Sequence, residues 1–241
     1  MTQQARKESI ELTPRLKLLA DRVPQGARFA DIGTDHGHLP LYLLREGKID
    51  QAIASDIRSG PLEHARENAA FHGFTMQTKF VLAGGLDGIR AEDCDTIAIA
   101  GMGGETIAEI LRDASWTKRG EHLLLLQPMT SVFELRQWLW GNGYHIEDEA
   151  VCTEGRRHYV ILSVRGEPAC EPVRKPLADC CFSKALLRAA GASAYLEYLL
   201  AREQRAYEGM CAGQSTDERA REEQNRLVEN LRRALEELKC R

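Results

Sequence analysis

A short run of glycine and acidic residues follows the first apolar segment of the chain. It reads Asp31-Ile32-Gly33-Thr34-Asp35-His36-Gly37. In a doubly wound sheet, the loop after the first strand lies beneath a ligand, and glycine there lets the backbone approach that ligand. A dinucleotide fingerprint would place its second glycine where Asp35 stands, and a carboxylate there would repel a pyrophosphate. The loop therefore suits a ligand with a positive or zwitterionic end. Asp31 would bind an ammonium group of that ligand through water, or its side chain would only fix the conformation of the loop.

A second carboxylate ends the next apolar segment. Asp56 follows Ala54-Ser55, at about the 20-residue spacing that separates a glycine loop from a ribose-binding acid. At the tip of a second strand, such a carboxylate accepts hydrogen bonds from both ribose hydroxyls. The alternative is an ordinary turn residue at the end of a strand. Together, Asp31, the glycine loop and Asp56 predict a site for an adenosine that carries an amino-acid tail, which is S-adenosylmethionine.

Two further motifs end later apolar segments. The run from Ala100 to Glu105 contains Gly101, Gly103 and Gly104. These glycines leave no side chains in the way where a substrate would approach a methyl donor. Gly104-Glu105 begins a helix, whose free backbone amides can hold an anion or a polarised group. The alternative is a tight turn in which Met102 fills the core. In the second motif, Gln127 offers an amide that would both donate to and accept from a base edge, although a Gln-Pro pair is also common in ordinary loops.

The elements that must position these residues alternate between strand and helix. Strands are predicted at Arg28–Ile32, Gln51–Asp56, Gln77–Leu82, Asp95–Ala100 and His122–Leu126. Helices are predicted between them at Leu39–Arg45, Pro61–His72 and Glu105–Arg112. This alternation is typical of a parallel sheet. A helix at Ser131–Trp140 and strands at Tyr144–Val151 and His158–Val164 then predict an antiparallel hairpin that closes one edge of the sheet.

Helical segments flank the predicted sheet. An amphipathic helix that opens at Leu12-Thr13-Pro14 is expected to pack on the first strand. Prolines at 168, 172 and 176 suggest a boundary between a cofactor-binding domain, residues 1–166, and a helical coiled-coil appendage, residues 167–241. Apolar residues at heptad-like spacing predict two antiparallel helices in the appendage, with Ser215 and Glu218 as a capping box. The alternative is a helix pair simply packed on the main domain. The fold class is therefore α/β, a doubly wound, mostly parallel, Rossmann-like sheet with a C-terminal helical hairpin.

Composition narrows the classes of function. The 241 residues are 43% hydrophobic and 28% charged, which is close to the globular average. No apolar stretch is long enough to cross a bilayer and the start is polar, so we expect a soluble, cytoplasmic chain. Seven cysteines without a Cys-x-x-Cys pair argue against a disulfide framework and a zinc site. The net charge of -4 means that a polyanion would have to meet local cationic clusters.

Taken together, the motifs resemble the bacterial tRNA (adenine-22 N1)-methyltransferase family. The matching residues are 31–40, Ala54-Ser55-Asp56, Gly60-Pro61-Leu62, Gly101-Met102-Gly103-Gly104 and Leu126-Gln127-Pro128. The similarity runs from the Leu12 helix to about Val164, and the family likewise ends in a helical coiled coil. The resemblance implies a class I methyltransferase with S-adenosylmethionine as cofactor, tRNA as partner, and neither metal nor membrane. It leaves the oligomeric state open, and a monomer is compatible with it.

The predicted site divides into catalytic and cofactor-binding residues. Catalysis is assigned to Asp35, His36 and Gln127. Asp35 would stabilise the adenine cation formed by transfer or take a proton from its exocyclic amine, and His36 would share this role unless it is a loop histidine bonded to the backbone. The predicted cofactor-binding residues are Asp31, Gly33, Thr34, Asp35, His36, Gly37, Asp56, Ile57, Gly84, Gly85, Gly101, Met102 and Gly103.

The chain departs from the family at two positions. Ala83-Gly84-Gly85-Leu86 stands where the family has a Gly-Asp-Gly-Leu-like turn whose carboxylate would meet the cofactor adenine, and Met129 stands where the family has Asn. Cations available for RNA are Arg6, Lys7, Arg15, Lys17, Arg22, Arg28, the Arg156-Arg157 pair and the Arg/Lys set of the helical hairpin. Two alternatives to the tRNA function stay open from the residues. They are a methyltransferase of the same fold acting on a protein or small molecule, and a non-catalytic cofactor-binding interaction protein.

Overall fold

The computed structural model describes residues 10–167, 172–213 and 217–240. Its centre is one seven-stranded sheet. The strands are β1 Phe29–Ile32, β2 Ala52–Asp56, β3 Thr78–Leu82, β4 Thr96–Gly103, β5 Leu123–Thr130, β6 Tyr144–Glu154 and β7 Arg157–Gly166. The helices are α1 Pro14–Arg22, α2 His38–Arg45, α3 Ser59–His72, α4 Gly104–Asp113, α5 Val132–Gly141, α6 Ala192–Ala212 and α7 Glu218–Lys239. None of the described helices is both long and apolar enough to span a membrane.

The strand order is β3-β2-β1-β4-β5-β7-β6. Strands β1 to β5 are parallel, whereas β7 runs antiparallel to β5 and β6. The chain goes outward from β1 to β3 and then crosses back to β4 on the other side of β1. This reversal is the topological switch point, where open α/β sheets bind ligands beyond the carboxyl ends of their strands. The predicted doubly wound sheet and its closing hairpin are confirmed.

The sheet is covered on both faces, which explains the continuous apolar runs of its central strands. Every residue of β1 and β2 is buried. Along β5, Leu124 and Leu126 face one core cluster, while Leu123 and Leu125 face the other. The first cluster contains side chains of α4, α5, α6 and α7, and the second contains side chains of α1 and α2.

Helix α1 makes larger contacts than the sequence predicts. Thr13 caps it and Pro14 occupies its first turn, as its sequence indicates. Its Leu19 and Val23 share a buried cluster with Phe29 of β1, and the helix packs mainly against β6 and β7. The reason is the strand order, because β7 and β6 extend the sheet on the far side of β5 and their exposed face needs a cover.

The C-terminal helices pack against each other as predicted, and they also share the main core. Tyr195, Leu196 and Leu199 of α6 lie in the same buried cluster as Phe133 of α5 and Val160 of β7. Asp217 caps α7 by accepting from the Arg219 amide, whereas Ser215 of the predicted capping box lies outside the described residues. The boundary at residue 166 coincides with the end of β7. Division into two separate units remains a prediction.

Candidate active site

A cavity of about 980 Å³ opens over the carboxyl ends of β1 to β5. This volume is at the upper end of what small-molecule sites occupy, so it can hold a cofactor together with part of a second substrate. Ten of the predicted site residues line it: Asp31, Gly33, Thr34, Asp35, Asp56, Ile57, Gly84, Gly85, Gly101 and Met102. His36, Gly37, Gly103 and Gln127 do not contribute to its wall.

The loop after β1 is fixed by hydrogen bonds to the neighbouring strand. The amides of Gly33 and Thr34 both donate to the carbonyl of Ser55, at 2.8 and 2.9 Å. The Thr34 hydroxyl donates to the Asp31 carboxylate at 2.8 Å, and Asp31 is only 5% exposed. Burial raises the pKa of Asp31 to about 7, assisted by the charge of Asp56 and opposed by the Thr34 bond. The floor of the cavity thus holds a buried carboxyl that a nearby cation would stabilise in its ionised form.

Asp56 marks the tip of β2 and is also 5% exposed. Its carboxylate accepts from the backbone amide of Arg58 at 2.9 Å and from that of Asp35 at 3.3 Å. The Arg58 guanidinium lies 3.7 Å away, on a side chain that is 71% exposed. Because two amides already hold the carboxylate in place, it is pre-oriented toward the cavity that it lines.

Asp35 occupies the turn between Asp31 and α2 in a left-handed conformation, with φ of 53°. Such a φ is uncommon for residues other than glycine, asparagine and aspartate. Its side chain is 62% exposed and lies 3.7 Å from the ring of His36. The His36 ring faces two other imidazoles, His38 at 5.7 Å and His64 at 5.2 Å between ring centres. Asp35 therefore reaches the cavity, whereas His36 belongs to a histidine cluster beside it.

The glycines after Ala100 do not form the tight turn that was the alternative interpretation, and the predicted helix does begin at Gly104. Strand β4 continues through them, with Met102 paired to Pro128 and Gly103 to Thr130 across a bulge. Gly104 then begins α4 directly, and a Cβ there would lie 2.3 Å from the Ser131 carbonyl oxygen. Glycine is required because the start of α4 abuts the backbone after β5. Gly103 and Gly104 thus serve close packing, and only Gly101 and Met102 reach the cavity.

Met102 also crosses the floor of the cavity. Its terminal methyl group lies so close to Gly33 that a Cβ at that glycine would be 2.3 Å away. Gly33 has φ of 73° as well, so its conformation disfavours a side chain, and any Cβ there would also require the end of the Met102 side chain to move.

Gln127 is fully buried at the end of β5. Its amide oxygen accepts from Arg15 Nη1 at 2.6 Å and from the Gly101 amide at 3.1 Å. Its amide nitrogen donates to the Pro128 carbonyl at 2.9 Å. With both ends engaged, Gln127 acts on the cavity through Arg15 and Gly101.

Several cavity residues escaped the sequence analysis. Three carboxylates, Asp87, Glu109 and Asp113, line the wall together with Trp116. Arg15, which the sequence suggested only as a cation for RNA, lines it as well. Asp87 lies three positions beyond Gly84, so a search for acids just after the third strand would have found it. Glu109, Asp113 and Trp116 lie on or just after α4, on the wall of the cavity rather than at a strand end, and no motif marks them.

The comparisons with known proteins agree with this arrangement. Residues 12–162 match the family model described as a methyltransferase domain. The chain belongs to the methyltransferase-domain family. The boundaries of the match cover α1 and almost the whole sheet, so the cavity described above lies within the matched region.

Relatives with more specific descriptions were also found. The tRNA (adenine(22)-N(1))-methyltransferase of Bacillus subtilis is 35% identical over 153 residues, which are 64% of each chain. The matches thus span just under two thirds of the length of the curated relatives. The crystal structure of a putative tRNA (m1A22) methyltransferase from Streptococcus pneumoniae superposes with a TM-score of 0.80 at 28% identity, covering 93% of this chain and 100% of that one. A Mycoplasma capricolum structure in complex with S-adenosyl-homocysteine superposes with a TM-score of 0.75 at 25% identity, covering 93% and 98%.

Proposed function

We propose that this methyltransferase domain transfers a methyl group from S-adenosylmethionine to N1 of an adenine in tRNA, at position 22. The observation that carries the proposal is the cavity at the switch point, whose wall contains the carboxylates of Asp31, Asp35 and Asp56. The similarity to the Bacillus subtilis tRNA (adenine(22)-N(1))-methyltransferase supports this substrate over a protein or a small molecule. A complex of the Streptococcus pneumoniae relative with S-adenosyl-L-methionine supports the cofactor.

The residues of the cavity fit this cofactor. Asp31 is buried, and its recorded hydrogen-bond partner is the neutral hydroxyl of Thr34. An ammonium group from the amino-acid tail would compensate the carboxylate and lower its pKa. Asp56 would accept hydrogen bonds from the ribose hydroxyls. The exposed side chain of Ile57 offers apolar surface to the adenine, and the Gly84-Gly85 segment offers backbone groups. Among the carboxylates that the sequence analysis missed, Asp87 is the nearest in sequence to this segment.

The chemistry needs positioning more than it needs a base. When bound, S-adenosylmethionine supplies an electrophilic methyl group on a sulfonium. Adenine N1 carries a free lone pair at neutral pH, so it forms the new N–C bond without prior deprotonation. Orienting N1 in line with the departing sulfur supplies much of the acceleration. The transfer leaves a positive charge on the adenine, which the Asp35 carboxylate at the cavity wall stabilises.

The substrate must enter the site as a single base. The Watson-Crick edge of adenine is buried when the base is paired or stacked, so the target is flipped out of the helix into the cavity. Gly101 leaves the rim at the end of β4 open for such a base. Because the proposed substrate is a tRNA, we expect the protein to act in the cytoplasm.

Methyl transfer from radiolabelled cofactor tests the proposal. Three acceptors are compared: unmodified tRNA, total protein and a metabolite extract. We expect label in tRNA alone and, after nuclease digestion, in 1-methyladenosine. A tRNA with guanine in place of adenine 22 is the matched control and should take up no label. Label in protein or metabolites, or equal labelling of both tRNAs, would refute the assignment, and cofactor binding without any transfer would favour the non-catalytic alternative.

A further inference from the structure

Four cations in and just after α1 differ in their partners. Three of them form ion pairs with carboxylates, namely Lys17 with Asp21, Arg22 with Asp148 and Arg28 with Asp95. Arg15 differs, because its guanidinium contacts the neutral amide of Gln127 at 2.6 Å and the ring of Tyr159 at 5.5 Å. Of these four side chains, Arg15 alone lines the large cavity. Among the residues that the structure describes, no carboxylate forms an ion pair with this guanidinium at the rim of the site.

Arg15 is held there by three separate parts of the fold. Its backbone amide donates to the Glu154 carboxylate at 2.6 Å, which fixes the start of α1 to the end of β6. The Gln127 oxygen that accepts from its guanidinium accepts from the Gly101 amide as well. A Cβ at Gly101 would be in ordinary contact with Arg15 Nη1, at 3.9 Å. The guanidinium is thus oriented by its bond to Gln127 and by the ring of Tyr159.

Its position along the sheet separates it from the residues expected to hold the ribose and adenine of the cofactor. Arg15 lies at the ends of β4 and β5, whereas Asp56 and Gly84 follow β2 and β3. The order β3-β2-β1-β4-β5 places four strand spacings between the two ends of the cavity, or about 19 Å at about 4.8 Å per spacing. Arg15 therefore faces the half of the cavity that the target nucleotide would enter. Met129, 40% exposed, lines the same end.

We propose that Arg15 binds a backbone phosphate of the RNA next to the flipped adenine, and that Gln127 and Glu154 position it. This inference rests on the proposed function. A guanidinium suits the role because its planar donors match two phosphate oxygens. One N–H of the Arg15 guanidinium is engaged by a neutral amide, and no ion pair with a described carboxylate occupies its other donors, so these can bind the phosphate. The phosphate would anchor the strand at one end of the cavity while the base turns toward Gly101.

The test compares Arg15→Ala with Arg15→Lys and with Lys79→Ala. Lys79 lies near the start of β3, at the amino end of the sheet, with a side chain that is 57% exposed and pairs with Asp93. For Arg15→Ala we expect the KM for tRNA to rise about tenfold or more, the scale of one charge-assisted contact, with an unchanged Kd for S-adenosyl-homocysteine by calorimetry. The slope of log Kd for tRNA against log salt should become shallower by about 0.7 to 0.9, the contribution of one phosphate. Arg15→Lys should retain the wild-type slope, and Lys79→Ala should leave KM unchanged.

The outcomes separate this inference from the proposed function. If the wild-type protein does not methylate tRNA, the proposed function itself fails. If the wild type is active and Arg15→Ala keeps both its KM and its salt slope, the phosphate contact is wrong while the function stands. A higher KM with an unchanged slope in both Arg15 variants would assign Arg15 a structural role, and it too would overturn the inference. Thermal unfolding of each variant confirms that the compared proteins are folded.

Discussion

The buried carboxyl of Asp31 leads to the sharpest prediction, which is that Asp31→Asn stabilises the free protein and weakens cofactor binding. Burial raises the pKa of Asp31 from an ordinary value of 3.8 to about 7. A folded-state pKa above the unfolded value means that the folded protein binds more protons between these pH values. The contribution of Asp31 to the free energy of unfolding is therefore largest below about pH 4, and this contribution is lost as the pH rises toward 7.

The size of the effect follows from the same two values. Each whole unit between the folded and unfolded pKa is worth about 1.4 kcal/mol, so ionised Asp31 costs the free protein at most about 4 kcal/mol above pH 7. Water entering the cavity reduces this figure. Asparagine keeps the shape and the Thr34 hydrogen bond without the charge. We expect the free energy of unfolding of Asp31→Asn to exceed that of the wild type by about 1 to 3 kcal/mol at pH 8, and the difference to vanish near pH 4.

Cofactor binding should show the opposite dependence on pH. An ammonium group beside Asp31 favours its ionised form, so binding to the wild type releases a proton and weakens about tenfold for each pH unit below 7. Calorimetry between pH 5.5 and 7.5, in two buffers of different ionisation enthalpy, counts that proton. Asp31→Asn should bind more weakly and release none. Thr34→Val, which removes the hydroxyl that lowers the Asp31 pKa, should move the transition to higher pH. A variant that is less stable than the wild type at pH 8, or wild-type binding without proton release, would refute the reasoning.

Three further predictions concern other residues. Asp56→Ala should weaken S-adenosyl-homocysteine binding by about 1.5 to 3 kcal/mol, the range for hydrogen bonds to a charged group, as measured by calorimetry. Asp35→Asn should keep the fold, because asparagine tolerates positive φ. It should also keep the Kd for the cofactor, while the rate of methyl transfer to tRNA falls. A loss of cofactor affinity in proportion to the loss of activity would make Asp35 a cofactor ligand instead. Arg136→Met should lower the urea-derived free energy of unfolding by about 3 to 5 kcal/mol, because it leaves Glu149 buried and unpaired, and adding Glu149→Leu should recover much of that loss.

The sequence was sufficient to predict the strands because their apolar runs are short and bounded by polar turns. It failed at the carboxyl ends of β4 and β5. Gly101, Gly103 and Gly104 have the composition of a turn, yet β4 continues to Gly103 because its partner strand extends alongside it to Thr130. Composition could not show that Gly104 is required because the backbone of Ser131 packs directly against it. Glycine signals a close approach, but the approaching group is known only once the fold is known.

The sequence predicted which residues line the cavity at the ends of β1 and β2, but it did not predict that Arg15 and Gln127 are bonded. Asp31 and Asp56 lie at the ends of consecutive strands, so their separation along the chain reflects a fixed geometry. Arg15 and Gln127 are 112 residues apart, and no spacing rule connects them. Their hydrogen bond exists because α1 packs on β6 and β7, a contact that the sequence did not predict. Sites assembled by helix packing leave no spacing rule in the sequence, whereas sites at strand ends do.

The boundary before the helical hairpin depends on contacts that composition does not reveal. Prolines mark where helices and strands stop, not where packing stops. Arg136 of α5 is fully buried and forms a two-bond ion pair with Glu149 at 3.0 and 2.7 Å. It also donates to the carbonyls of Cys180 and Cys181, beyond the proline-rich segment. A chain that ends at residue 166 would lose those two acceptors, so we expect it to be less stable than the full chain even where it still binds the cofactor. The segment that carries these carbonyls contacts α7 in turn, so losing it would also remove a packing partner of the helical hairpin.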